Sequence, residues 1–101
     1  MEGARDTWKQ IPISRADGTP CLSLRVFTIK PGGHTPYHRH DFEHLNYVIT
    51  GMGAVVTETG EEREIGEGDF VLILPNEQHQ YKNLADKEPL VIICGVPKEY
   101  E

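Results

Sequence analysis

The sequence lacks a long apolar run, a basic cluster and any close cysteine pair, and each absence argues against a class of function. No stretch approaches the roughly 18 apolar residues that a membrane-spanning helix needs. The opening segment, Met1 to Asp6, carries no apolar run of signal-peptide type. The expectation is a soluble cytoplasmic protein with no membrane partner. No Lys/Arg cluster exceeds two residues and the formal net charge is −6. That argues against nucleic acid as a partner, because phosphate binding needs a basic footprint. The two cysteines, Cys21 and Cys94, lie far apart with no CxxC grouping. Nothing demands an oxidising compartment, and a disulfide between them stays open. Helical periodicity is nearly absent as well.

What the chain does have is turns. Its 101 residues suffice for one domain, residues 1–101, with an arm over 1–21 and a core over 22–97. At that length folding hides roughly 65% of the unfolded surface, a thin but adequate core. Apolar residues make up 38%, with 10 Gly and 7 Pro. They fall in strand-length runs between Gly, Pro, Asn and Asp. The pattern predicts strands at Ile11–Ile13, Leu22–Ile29 (stopped by Pro31-Gly32-Gly33), Leu45–Thr50, Ala54–Glu58, Arg63–Ile65, Phe70–Leu74, His79–Asn83 and Leu90–Val96. Tyr37–His40 reads as short and extended, and Trp8 is expected to pack against the body. Roughly eight to ten short strands at regular spacing imply an all-β sandwich or barrel.

Four of the five histidines fall at telling places. His38 and His40 are two apart in an extended segment, so both rings leave one face about 7 Å apart at the backbone. His44 would share that phase in a straight strand. His79 begins another strand behind the loop Pro75–Gln78. Imidazole is the commonest metal ligand near neutral pH, and three clustered donors plus one distant donor suit a site spanning two strands. His34, in the loop Gly33-His34-Thr35-Pro36, is not expected to join them.

These residues resemble the cupin family. Its first motif is Gly, five residues, His-x-His, three residues, Glu, six residues, Gly. Here Gly32, His38, His40, His44 and Gly51 keep every spacing, with His44 where Glu is usual. The second motif is Gly, five residues, Pro-x-Gly, two residues, His, three residues, Asn. Gly68, His79 and Asn83 fit it, while Pro75 comes one residue late and Glu77 sits near the expected second Gly. The resemblance covers about residues 22–97 and implies a double-stranded β-helix, or jelly-roll, barrel. The His-for-Glu exchange and the ending Val96-Pro97-Lys98-Glu99 are similar to small manganese-binding cupins with an all-histidine site. That likeness implies one divalent metal per chain on His38, His40, His44 and His79, a homodimer, and oxidative chemistry.

Four neutral imidazoles leave a bound ion its full +2 charge, which favours anionic ligands. An octahedral ion keeps two positions open, whereas tetrahedral zinc would be filled and structural. Nitrogen donors alone suit zinc, copper, iron and nickel; the resemblance favours manganese or iron. Strand alternation places Asn46 and Val48 with His44, and Tyr81 and Asn83 with His79. Asn46, Tyr81 and Cys94 are therefore candidates to line the site beside the ligands, each with a plain packing role as its alternative. Asp41 and Glu43 flank the ligands as candidate acid or base. Leu45, Tyr47 and Ile49 alternate outward, an apolar stripe suited to a second copy of the chain. Three functions follow as expectations. The first is a metal-dependent, dioxygenase-like enzyme on a small oxygen-rich molecule. The others are a non-catalytic metal or small-ligand sensor module and a metal-free sugar-binding domain.

Overall fold

The structure, a computed structural model, describes residues 2–101. Eight strands follow one another: β1 (Arg5–Ile13), β2 (Leu22–His34), β3 (His44–Thr50), β4 (Met52–Val56), β5 (Glu62–Gly66), β6 (Phe70–Ile73), β7 (Gln80–Asn83) and β8 (Leu90–Pro97). Two short 3-10 turns, Arg15–Asp17 and Lys98–Tyr100, complete the chain. All strands pair antiparallel in one curled sheet, in the order β5-β4-β7-β2-β8-β3-β6, and β1 lies along β2. Sequence neighbours such as β2 and β3 are separated by a later strand. This crossing is the double-stranded β-helix barrel.

Alternation decides what goes inside. In β8, Leu90, Ile92, Cys94 and Val96 are buried while Val91, Ile93 and Gly95 are only partly covered. Ile29, Val48, Val55, Ile65, Ile73 and Tyr81 meet Leu90 and Ile92 in the core. Each fully buried aliphatic side chain contributes roughly 1.5–3 kcal/mol, so a few such layers hold a domain this small. The outward phase of β3 leaves Leu45 60% exposed. Register carries that apolar face onto β6, where Leu72 stands opposite Leu45 and Phe70 opposite Tyr47.

Three differences from the sequence reading are large, while the other strand ends shift by one or two residues, as in β4, which is Met52–Val56 rather than Ala54–Glu58. β1 spans Arg5–Ile13 rather than Ile11–Ile13, because it finds a full-length partner in β2. β2 does not stop at Pro31-Gly32-Gly33 but runs on to His34. Its ladder to β8 ends at Ile29, so Pro31 removes no bond from that ladder. Gly32 takes a positive φ of 79°, and at Gly33 a Cβ would meet the carbonyl oxygen of Arg5 at 2.6 Å. Past that irregularity the strand pairs again, His34 facing both Arg5 and Lys82. The extended segment around His38 is a single bridge to His79, not a strand. Trp8 remains half exposed, with the Lys30 ammonium 4.8 Å above its ring. Cys21 is exposed and Cys94 buried, both as free thiols. No helix among the described residues is long and apolar enough to cross a membrane.

Candidate metal centre

Backbone pairing brings the two histidine segments together. His38 and His79 exchange two hydrogen bonds, N–H to carbonyl in each direction, at 3.1 and 2.9 Å. The Thr35 amide donates to the Tyr81 carbonyl on one side, and the Asn76 amide to the His40 carbonyl on the other. Asn76 has φ of 64°, a left-handed conformation that asparagine tolerates better than most residues. The glycine-like position of the second motif is thus Asn76, not Glu77. Glu77 instead accepts the Leu74 amide through its carboxylate and the Nδ1–H of His79 through its carbonyl.

The histidine rings converge. Ring centroids lie 4.2 Å apart for His38 and His40, and 5.1 Å for His38 and His79. The ligand-capable atoms of His38, His40 and His79 all lie within 4.8 Å of one another. His44, the first residue of β3, stands beside that trio, its ring 4.9 Å from His40 and 5.0 Å from His79. The bend over 41–42 turns the chain between His40 and His44, so the two do not share one straight strand. His34 is elsewhere, its ring nitrogen against the Thr35 carbonyl and Gln80.

The nitrogens facing inward fit an ion. His79 commits Nδ1 to the Glu77 carbonyl, which leaves Nε2 as its free nitrogen. The Nε2 atoms of His38 and His40 point at each other across 3.1 Å. His44 has Nδ1 3.5 Å from the Cys94 sulfur and a buried Nε2 with no partner. A buried polar atom without a partner is costly, and a cation supplies one. Burial, above all, keeps all four rings neutral. His44 is held down to about 3 by burial, then by His79 and Arg25. His40 is held at about 4 by burial, then by His38, His79 and Arg25. His38 and His79 are lowered by burial too, His79 against the opposing pull of Glu77. Neutral imidazole is the metal-binding form.

The rings open onto a cavity of about 260 Å³ whose walls include Asn46, Tyr81 and Cys94. Asn46 donates to the Tyr81 hydroxyl at 2.5 Å, and its Oδ1 is buried without a partner. Burial raises the pKa of both the Tyr81 hydroxyl and the Cys94 thiol, so each stays protonated near neutral pH. Asn83, in phase with His79, turns away from the site and bonds the Ile29 and Glu88 carbonyls. Asp41 and Glu43 are solvent-exposed and do not line the cavity.

Two residues escaped the sequence reading. Arg25 is 7% exposed and reaches the cavity from β2. A charged residue at every-second-position spacing with Ser23 and Phe27 was the available signal. Phe42 stacks between the His40 ring at 4.7 Å and Tyr100 at 4.0 Å, which sets the Lys98–Tyr100 turn beside the ligand segment.

Residues 25–96 match the cupin 2 family, described as the cupin domain. Over 78 residues the chain is 37% identical to gentisate 1,2 dioxygenase 1 of Aquipseudomonas alcaligenes; the match covers 77% of this chain but spans only 22% of that protein. The polyketide cyclase RemF of Streptomyces resistomycificus superposes with a TM-score of 0.88 at 29% identity, over 95% of this chain and 68% of that one. A cupin 2 domain-containing protein of Halorhodospira halophila does so with 0.84 at 31%, over 95% and 65%. The strand order, the converging histidines and the match over residues 25–96 agree: the chain belongs to the cupin 2 family.

Proposed function

We propose that the protein is a metal-dependent enzyme that holds one divalent ion on His38, His40, His44 and His79. It would act on a small oxygen-rich molecule by oxidative, dioxygenase-like chemistry. The observation that carries this reading is the unpartnered Nε2 of His44, buried beside the three-histidine cluster at the floor of a cavity. The dioxygenase relative supports the reaction class. Manganese or iron fits better than zinc, since four ligands would saturate tetrahedral zinc and leave the cavity without purpose. Nickel and copper rank behind them. When bound, the ion would supply Lewis acidity and one-electron redox chemistry. The chain's own part is to present neutral imidazoles, to hold His79 through the Glu77 carbonyl, and to keep Tyr81 and Cys94 protonated in the wall.

A non-catalytic metal or small-ligand binding or sensor module is the second reading, favoured by the small share of the dioxygenase that the chain spans. Two measurements on untagged protein separate them. Elemental analysis should find about one manganese or iron per chain, and water relaxation on the manganese form should detect exchangeable water. Absence of stoichiometric metal overturns the enzyme and leaves at most a small-ligand module; a saturated ion without exchangeable water leaves the metal-binding module.

A homodimer is proposed as well. Leu45, Ile49, Phe70 and Leu72 are exposed on adjacent strands, and Ile93 of β8 stands opposite Tyr47. A continuous apolar sheet face is self-complementary, and a second copy across a two-fold axis would cover both.

A further inference from the structure

Among the described residues only three buried side-chain nitrogen or oxygen atoms lack a hydrogen-bond partner: His44 Nε2, Asn46 Oδ1 and Arg25 Nε. All three residues line the same cavity. The first is accounted for by an ion. The other two lie outside any ligand set and call for something else.

Arg25 is a permanently charged group without a counter-ion. None of the salt bridges among the described residues includes it. Its Nη2 donates to the Cys94 sulfur at 3.2 Å, and that sulfur lies 3.5 Å from His44 Nδ1. Two contacts thus tie the guanidinium to a ligand ring. The guanidinium carbon Cζ lies over the Phe27 ring, 5.1 Å from its centroid, a cation–π contact. Glu2 and Lys9, the other charged cavity residues, are exposed and of opposite sign. A loaded site therefore carries two positive centres and no buried anion. A buried unpaired charge is strongly unfavourable, so the arrangement is complete only with a negative ligand.

We propose that Arg25 is the anion anchor of this cavity, which takes a small organic carboxylate. The carboxylate lies on the guanidinium, and the remaining oxygens reach the histidine centre and the Asn46–Tyr81 pair. The planar guanidinium matches a carboxylate, while Phe27, Pro36 and Ile92 give the cavity apolar walls for a carbon skeleton. A bare phosphate dianion would find a single buried cationic side chain and no use for the apolar walls. The proposal names the substrate class of the enzyme read above and rests on that reading for the role of the ion.

The test uses the full chain, manganese-loaded and metal-free, with salicylate, its neutral isostere salicylamide, and inorganic phosphate as titrants in calorimetry. Metal content is measured on the same samples. Wild type should prefer salicylate over salicylamide by about 10- to 100-fold, the range of a charge-assisted hydrogen bond. Arg25→Met should remove most of that preference, and Arg25→Lys should keep part of it. Neither variant should lose metal, since Arg25→Met removes a cation that opposes a dication and Arg25→Lys leaves the charge unchanged. A preference that survives in Arg25→Met places the carboxylate on the ion alone and overturns the proposal, as does equal binding of the two probes or tighter binding of phosphate. Failure of the metal reading shows separately: metal-free protein whose salicylate binding still depends on Arg25 keeps the anchor and discards the ion. Should Arg25→Met not fold, as judged by its melting transition, Arg25→Lys and the probe comparison in wild type decide.

Discussion

The backbones of His38 and His79 exchange two hydrogen bonds across 41 positions of sequence, so two rings from separate segments start from one bridge. Everything else about the centre is reached from that bridge: His40 two residues on, and His44 at the head of β3.

His44 is the member outside the tight trio, and it separates a three-ligand from a four-ligand centre. Loss of an outer-sphere partner already costs roughly 10- to 100-fold in metal affinity, so His44→Ala should cost at least about that much while the melting profile of the metal-free protein persists. His34→Ala should leave metal affinity within about twofold, because its ring bonds Thr35 and Gln80 instead. Competition with a chromophoric chelator reads both. Unchanged affinity in His44→Ala removes it from the ligand set.

The depressed histidines make the metal-free protein acid-sensitive well above the carboxylate range. An unfolded histidine titrates near 6.5, whereas His40 and His44 in the fold titrate at about 4 and about 3. Between those values the unfolded chain binds more protons, so stability rises with pH there. Read downwards, it is lost from pH 6.5 to about 4 through His40, and to about 3 through His44. Metal-free protein should thus melt at steadily lower temperature as pH falls below 6.5, and His44→Gln should flatten that slope. A melting temperature constant from about pH 7 to 5 contradicts the burial argument.

Gly51 and Gly60 both have positive φ, 94° and 85°. At Gly60 a Cβ would meet nothing, whereas at Gly51 it would run into the Pro89 carbonyl oxygen. Gly60→Ala should cost about 1–2 kcal/mol, the conformational penalty alone. Gly51→Ala should cost clearly more, because backbone must move. Urea unfolding of the two variants orders them, and equal losses would show that the Leu90 end of the β8 strand yields freely.

Phe70, 81% exposed, and Leu45 sit on the proposed dimer face. Light scattering should give twice the chain mass for wild type. Phe70→Glu with Leu45→Glu should give the monomer with its metal content intact. A monomeric wild type removes the dimer from the account.

Much of this was legible in the chain. Strand period and turn residues name an all-β barrel, and β8 alternates so regularly that its inward set, Leu90, Ile92, Cys94 and Val96, can be read directly. The spacings of His38, His40, His44 and His79 mark a centre because local backbone geometry determines where rings two apart can point. The phase of β2 could not be read that way. Polarity alone would turn Leu22, Leu24 and Val26 inward rather than Ser23, Arg25 and Phe27, yet pairing with β8 and curling of the sheet bury Ser23 and Arg25 and leave Leu22 exposed. That choice is long-range, since it maximises burial over the whole barrel. It is what places a charged guanidinium, rather than a leucine, beside the histidines.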